Sequence, residues 1–230
     1  YRQGEESFLL VPNASNADAV EAWMRRWISG PVGIEVVTDA LAMIACQGPE
    51  ARGIVQGLSE DDLGAVRPFR FAEAEVAGVS SQVARTGYTG EDGFELMVPS
   101  DSAPNVWAAM LEGGATPCGL GARDVLRLEA GLLLHGNDMD TSVNPYEAGL
   151  ERFIDPDRDG YVAGDALRMI RDRGPERMLV GFEMTGRGIA RQGHPIVDGS
   201  NPIGHVTSGS HSPTLDTNIG MGYVPTAFAT

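Results

Sequence analysis

Apolar positions fall in short blocks along the chain, and the spacing inside each block separates strands from helices. Phe8-Leu9-Leu10-Val11, entered through Ser7, predicts a strand over 7–11. Ser15 and Asp18 then form a capping box ahead of Val20, Trp23, Met24, Trp27 and Ile28, which share one helical face. Positions 34–38 and 41–46 predict two strands joined by a turn at Asp39-Ala40. Gln47-Gly48-Pro49-Glu50 opens a short helix, with Pro49 near its first position and Gly57 near its end. Mixed strand and turn material follows to residue 98. Ser102 caps a helix bearing Val106, Trp107, Met110 and Leu111, and a further helix is predicted from about 122 to 134. A last helix is predicted over 164–171. This irregular alternation points to α+β rather than a doubly wound sheet.

The pattern changes near Gly174-Pro175. Met178-Leu179-Val180-Gly181-Phe182, then 203–207 and 219–224, are separated by Gly, Pro, Ser and Asn, with no helical period between them. They predict the first part of an all-β unit, a small barrel or sandwich, with too few strands by Thr230 to close. The expected division is therefore 1–174 as an α+β domain and 175–230 as a partial β domain.

Composition narrows the classes. A hydrophobic share of 42% and a charged share of 21% are those of a globular protein. The formal charge of −15 excludes a nucleic-acid or anionic-membrane partner, because basic residues are few and dispersed among carboxylates. Cys46 and Cys118 lack ligand spacing, which favours a reduced, intracellular protein. No apolar run approaches the roughly 20 residues that span a bilayer, and no signal peptide is visible. The chain opens at Tyr1, close to its first predicted strand, and is expected to begin inside a domain.

Candidate chemistry concentrates in Arg85-Thr86-Gly87-Tyr88-Thr89-Gly90-Glu91-Asp92-Gly93-Phe94-Glu95-Leu96. A phosphate loop is disfavoured, since Glu91 and Asp92 repel phosphate and no lysine follows the glycines. Two readings remain: a plain hairpin with a solvated acidic tip, or a turn that holds Glu95 toward a ligand with paired N–H donors, such as a pterin or guanine edge. In 119–131 a loose glycine turn starts a helix whose Val125, Leu128 and Leu132 follow core spacing. Arg123 lies in its first turn, where a cation opposes the helix dipole, so it needs an anion: Asp124, Glu129 or a ligand carboxylate. Asp155-Pro156-Asp157-Arg158-Asp159-Gly160 resembles the start of a calcium loop, but the twelfth position is Ala166 and a solvated turn is the better reading. His135, His194, His205 and His211 show no zinc spacing, and Ser208-Gly209-Ser210-His211-Ser212 lacks the hydrolase elbow.

Taken in succession, the segment 85–95, Gly119-Leu120-Gly121-Ala122-Arg123-Asp124-Val125-Leu126-Arg127-Leu128-Glu129-Ala130-Gly131 and Gly136-Asn137-Asp138-Met139-Asp140 resemble the glycine cleavage T-protein, the folate-binding aminomethyltransferase family. Further matches run in the family's order from Leu10-Val11-Pro12-Asn13 to Ser212-Pro213-Thr214-Leu215, over almost the whole chain. The resemblance implies a folate-binding aminomethyltransferase fold: two α+β lobes within 1–174, the first incomplete, and a partial C-terminal β-barrel at 175–230. It implies transfer of a one-carbon unit from the aminomethyl-dihydrolipoyl arm of H-protein to tetrahydrofolate, with release of ammonia. Tetrahydrofolate is then the acceptor substrate and lipoylated H-protein the partner. The compartment implied is the cytoplasm of a bacterium, or the mitochondrial matrix in a eukaryote.

Carried over by motif position, Glu95 pairs with the pterin N–H groups, Tyr88 packs nearby and Asn13 lines the same pocket. Arg123 binds near the folate or the substrate arm, and Arg191 reaches in from the third lobe. The family's catalytic aspartate is expected upstream of Tyr1, so no catalytic residue is assigned within the chain, and the 230 residues alone are expected to turn over little or not at all. Arg152 stands where the family often has tryptophan, which keeps two alternatives open: a folate-dependent demethylase relative, and a non-catalytic folate binder on the same scaffold.

Overall fold

A computed structural model describes residues 1–229. In chain order the helices and strands are α1 (Ala17–Trp27), β1 (Leu41–Gln47), α2 (Ala51–Gln56), β2 (Phe71–Val76), β3 (Val79–Ala84), β4 (Gly93–Pro99), α3 (Ala103–Glu112), α4 (Leu120–Glu129), α5 (Gly164–Arg173), β5 (Arg177–Glu183), β6 (Pro195–Asp198), β7 (Asn201–Ser212) and β8 (Thr217–Pro225). They fall into two compact units, Tyr1–Val11 with Pro31–Ala130, and Pro12–Gly30 with Gly131–Thr230. The composition of the fold is α+β, with one four-stranded antiparallel sheet in each unit.

The first unit's sheet has the order β1-β4-β3-β2. Along β4, Met97 is buried and Glu95 only half-buried on one face; Phe94, Leu96 and Val98 on the other are fully buried. Their face joins Ile44 and Cys46 of β1, Val55 of α2, and Val106 and Met110 of α3 in one apolar core. That burial, about 25 cal/mol for each Å² removed from water, is what fixes the register and therefore the face on which Glu95 emerges.

Several expected elements take a different form. Segment 7–11 forms no strand; Phe8 makes one isolated bridge with Arg2, and Phe8, Leu10 and Val11 are exposed. Residues 34–38 are irregular, and only the second of that predicted pair is a strand. No capping box forms at α1, because Ser15 lies inside a short 3₁₀ turn (Ala14–Asn16) and Asn16 takes the cap position. No residue of α1 is buried, so its apolar face is not core within the unit. Helix α4 stops at Glu129 because Gly131 turns to φ 67°, a left-handed conformation that ends a helix.

In the second unit the sheet order is β5-β8-β7-β6. Strand β6 escaped the sequence pattern: it is four residues long, starts at Pro195, and is irregular in register between Ile196 and Val197. The buried polar centre of the unit is Asp138, fully excluded from solvent. Its carboxylate accepts the backbone N–H of Leu134 at 2.9 Å and the hydroxyls of Thr207 and Ser208 at 2.5 and 2.7 Å. Its carbonyl accepts the Tyr223 hydroxyl at 2.8 Å, and burial pushes that phenol up to about 12. A buried carboxylate is tolerated only when its lone pairs are filled in this way. Asp138→Ala is therefore expected to cost about 1–3 kcal/mol for each polar group left unpaired. Urea unfolding of the two proteins measures that difference.

Candidate functional site

Glu95 is the third residue of β4, flanked in the sheet by Ala45 of β1 and Ala84 of β3. Two alanines beside it leave its carboxylate room on that face. Ahead of it, the glycine-rich loop is held by a single side chain. Gln47 at the end of β1 donates from Nε2 to the Thr86 carbonyl at 2.9 Å. Its Oε1 accepts the Tyr88 N–H at 3.2 Å and the Thr89 hydroxyl at 2.7 Å. The approach is so close that a Cβ on Gly87 would sit 1.7 Å from Gln47 Nε2, so any larger residue there would displace the Gln47 amide.

The base of the loop is closed by charge. Arg85 binds both oxygens of Asp92, at 2.8 and 2.6 Å, and the Asp92 carbonyl accepts the Gly48 N–H at 2.9 Å. The hydrogen bond from Arg85 is the main reason the Asp92 carboxyl lies below its ordinary value. Of the two acidic residues at the tip, Glu91 is exposed and Asp92 is engaged. Both are solvent-exposed, as the solvated-tip reading has it, but Asp92 is in addition tied to Arg85.

Glu95 itself accepts a hydrogen bond from the Thr86 hydroxyl, which lies 3.3 Å from the Tyr1 hydroxyl. Burial, with the nearby Glu95 carboxylate adding to it, raises the Tyr1 phenol above its ordinary value. Arg123, on the first turn of α4, places its guanidinium 4.8 Å from the centre of the Tyr88 ring. Asp124 is taken by the buried Arg127, at 2.7 Å. Among the described residues no carboxylate lies within ion-pair distance of Arg123. The requirement for an anion is met here by a ring face, worth about 0.5–1 kcal/mol at an exposed site.

Glu95, Tyr88 and Arg123 line one cavity of about 430 Å³, built wholly from the first unit. Gln47, Trp107 and Cys118 line it as well, and none of these was assigned a role from the sequence. Trp107 belongs to an apolar helical face, but only Val106 and Met110 of that face are buried; Trp107 is 44% exposed. Cys46 lies in the wall, and burial raises its thiol above the ordinary value. Asn13 and Arg191 lie in the second unit. Asn13 precedes the 3₁₀ turn and its carbonyl accepts the Asn16 N–H at 2.9 Å. Arg191 is exposed, and its Nη1 donates to the Gly209 carbonyl at 3.4 Å. Asp157 of the calcium-like loop pairs with Arg171 at 2.7 Å, and no group of metal-binding side chains occurs among the described residues. No described helix is long and apolar enough to cross a membrane.

The cavity wall thus brings together the Glu95 and Glu50 carboxylates, an arginine–tyrosine stack and an indole, the apolar-with-few-polar-groups make-up of a small-molecule pocket. Comparison with known proteins shows the family. The family described as the GCVT N-terminal domain matches residues 1–158, and the glycine cleavage T-protein C-terminal barrel domain matches 177–230. Aminomethyltransferase from Exiguobacterium sibiricum is 45% identical over 230 residues, all of this chain and 64% of the relative. Aminomethyltransferase from Rubrobacter xylanophilus is 47% identical over 227 residues, 98% of this chain and 61% of the relative. Among solved structures, glycine cleavage system aminomethyltransferase T from Bartonella henselae superposes with a TM-score of 0.85 at 32% identity, over 95% of this chain and 60% of that one. The chain belongs to the glycine cleavage T-protein family of aminomethyltransferases. It spans a little under two thirds of the length of these relatives.

The Arg85–Asp92 clasp has a pH signature. Because the folded Asp92 carboxyl titrates below its ordinary value of 3.8, its stabilisation is present above that value and is lost as pH falls through the lower one. Urea midpoints followed downward from neutrality are expected to fall more steeply below about pH 4 in the parent than in Asp92→Asn, which cannot titrate. Parallel curves for the two proteins remove the clasp from the account.

Proposed function

We propose that this chain carries the folate-binding part of a tetrahydrofolate-dependent aminomethyltransferase of the glycine cleavage system. In this reading the enzyme receives the aminomethyl group on the dihydrolipoyl arm of H-protein and releases ammonia. The one-carbon unit passes to tetrahydrofolate, which acts as acceptor substrate and leaves as methylenetetrahydrofolate. The observation that carries the reading is Glu95: a half-buried carboxylate lining a preformed cavity, in a chain of this family.

The division of labour follows from the ligand's chemistry. A pterin presents adjacent N–H donors on one edge, which a fixed carboxylate accepts, and an aromatic face, which Tyr88 and Trp107 can pack against. The far end of a folate is acidic, and Arg123 is the cation of the cavity wall without a carboxylate partner among the described residues. Asn13 and Arg191 keep the ligand-binding roles that the resemblance gives them. Positioning and electrostatic orientation of the folate nitrogen supply most of the rate enhancement in such a transfer. The bacterial origin of the named relatives supports a cytoplasmic enzyme.

The test is Glu95→Gln, which keeps the shape but replaces one acceptor oxygen by a donor facing the ligand's own donors. Folate affinity measured by calorimetry is expected to fall by about 1–3 kcal/mol. Unchanged affinity removes Glu95 from the ligand's edge.

A further inference from the structure

The geometry points to Thr86 as a positioning residue that fixes the Glu95 carboxylate and so sets the selectivity of the cavity for ligands with adjacent N–H donors. This rests on the reading that Glu95 receives the ligand's N–H edge. A carboxylate only accepts, so the Thr86 hydroxyl proton is committed to Glu95 Oε2. The Tyr1 hydroxyl, 3.3 Å from Thr86 Oγ1, must then donate to it. The result is a one-way chain, Tyr1 to Thr86 to Glu95.

Tyr1 and Thr86 are both anchored. Tyr1 meets the Phe71 ring edge-on at 5.6 Å, and its carbonyl accepts the Leu9 N–H at 2.8 Å. The Thr86 carbonyl is held by Gln47 at 2.9 Å. Thr86 is thus fixed at its main chain by one bond and at its hydroxyl by two. A glutamate has three side-chain torsions, and a free one must be ordered when a ligand binds. Here that ordering is done beforehand. The Thr86 bond occupies one lone pair of Oε2, leaving the second lone pair and both of Oε1 for the ligand. The carboxylate therefore gains a fixed direction without losing its capacity to accept two bonds.

The consequence is selective rather than general. A fixed carboxylate favours a ligand that presents two matched donors more than one that presents a single donor, which gains little from the alignment. The experiment uses the whole chain and two probes: folate, and its analogue in which a methyl group replaces the pterin amino group. Thermal unfolding is recorded beside calorimetry for the parent, Thr86→Val and Thr86→Ser. The parent is expected to prefer folate, and Thr86→Val to lower the folate-to-analogue affinity ratio by roughly 3- to 10-fold, the scale of ordering one flexible side chain. Thr86→Ser, which keeps the donor, restores the ratio. If Thr86→Val does not fold, Thr86→Ala is read in the same way. Thr86→Val (or Thr86→Ala in its place) that keeps the parent's ratio, or that loses affinity for both ligands equally, overturns the assignment of Thr86 while leaving the folate reading in place. A parent protein that binds neither ligand overturns the folate reading, and the role of Thr86 with it.

Discussion

One carboxamide sets the geometry of the cavity. Gln47 spends both ends of its side chain on the main chain and hydroxyl of the segment 86–89, at distances from 2.7 to 3.2 Å. A loop carrying Gly87, Gly90 and Gly93 has high conformational entropy when free, and polar bonds to an ordered strand end offset that cost. With the loop fixed, Tyr88 is placed for Arg123, Thr86 is placed for Glu95, and the ligand-facing groups need little rearrangement. Preorganisation of this kind is where a modest number of hydrogen bonds gains most for binding.

The core plays the complementary part. Phe94, Leu96 and Val98 belong to the core formed with the helices, and a shift of one residue would turn Glu95 into that core and all three away from it. The same alternation that stabilises the first unit therefore points the functional carboxylate out of the core. In the second unit the principle is reversed. Asp138 is entirely buried, and its bonds to Leu134, Thr207, Ser208 and Tyr223 tie together the local structure of its unit.

What the sequence revealed follows from range. Period-two alternation and glycine turns are local, and they placed Glu95 after the turn, Tyr88 before it, and Arg123 on the first turn of its helix. The role of Gln47 depends on pairing between β1 and β4, which are far apart in sequence, and a lone glutamine at a strand end carries no signal of it. The exposed segment 7–11 has strand-like residues but no partner strand, and propensity alone cannot supply one. Trp107 obeys helical spacing like its buried neighbours, so only packing reveals that it lines a cavity. Arg127 reads as an ordinary charged helix residue, yet it is buried and takes Asp124, one of the three anions open to Arg123 in the sequence.

The central claim is that a pterin edge sits against Glu95 beside the Tyr88–Arg123 stack. The most direct measurement is a nuclear magnetic resonance titration of the labelled chain with folate, following the Trp107 indole and the backbone amides of 86–89 and 93–97. The account predicts saturable shifts concentrated in those signals and in Arg123. Saturable binding that leaves them unmoved, with shifts elsewhere in the chain, contradicts it.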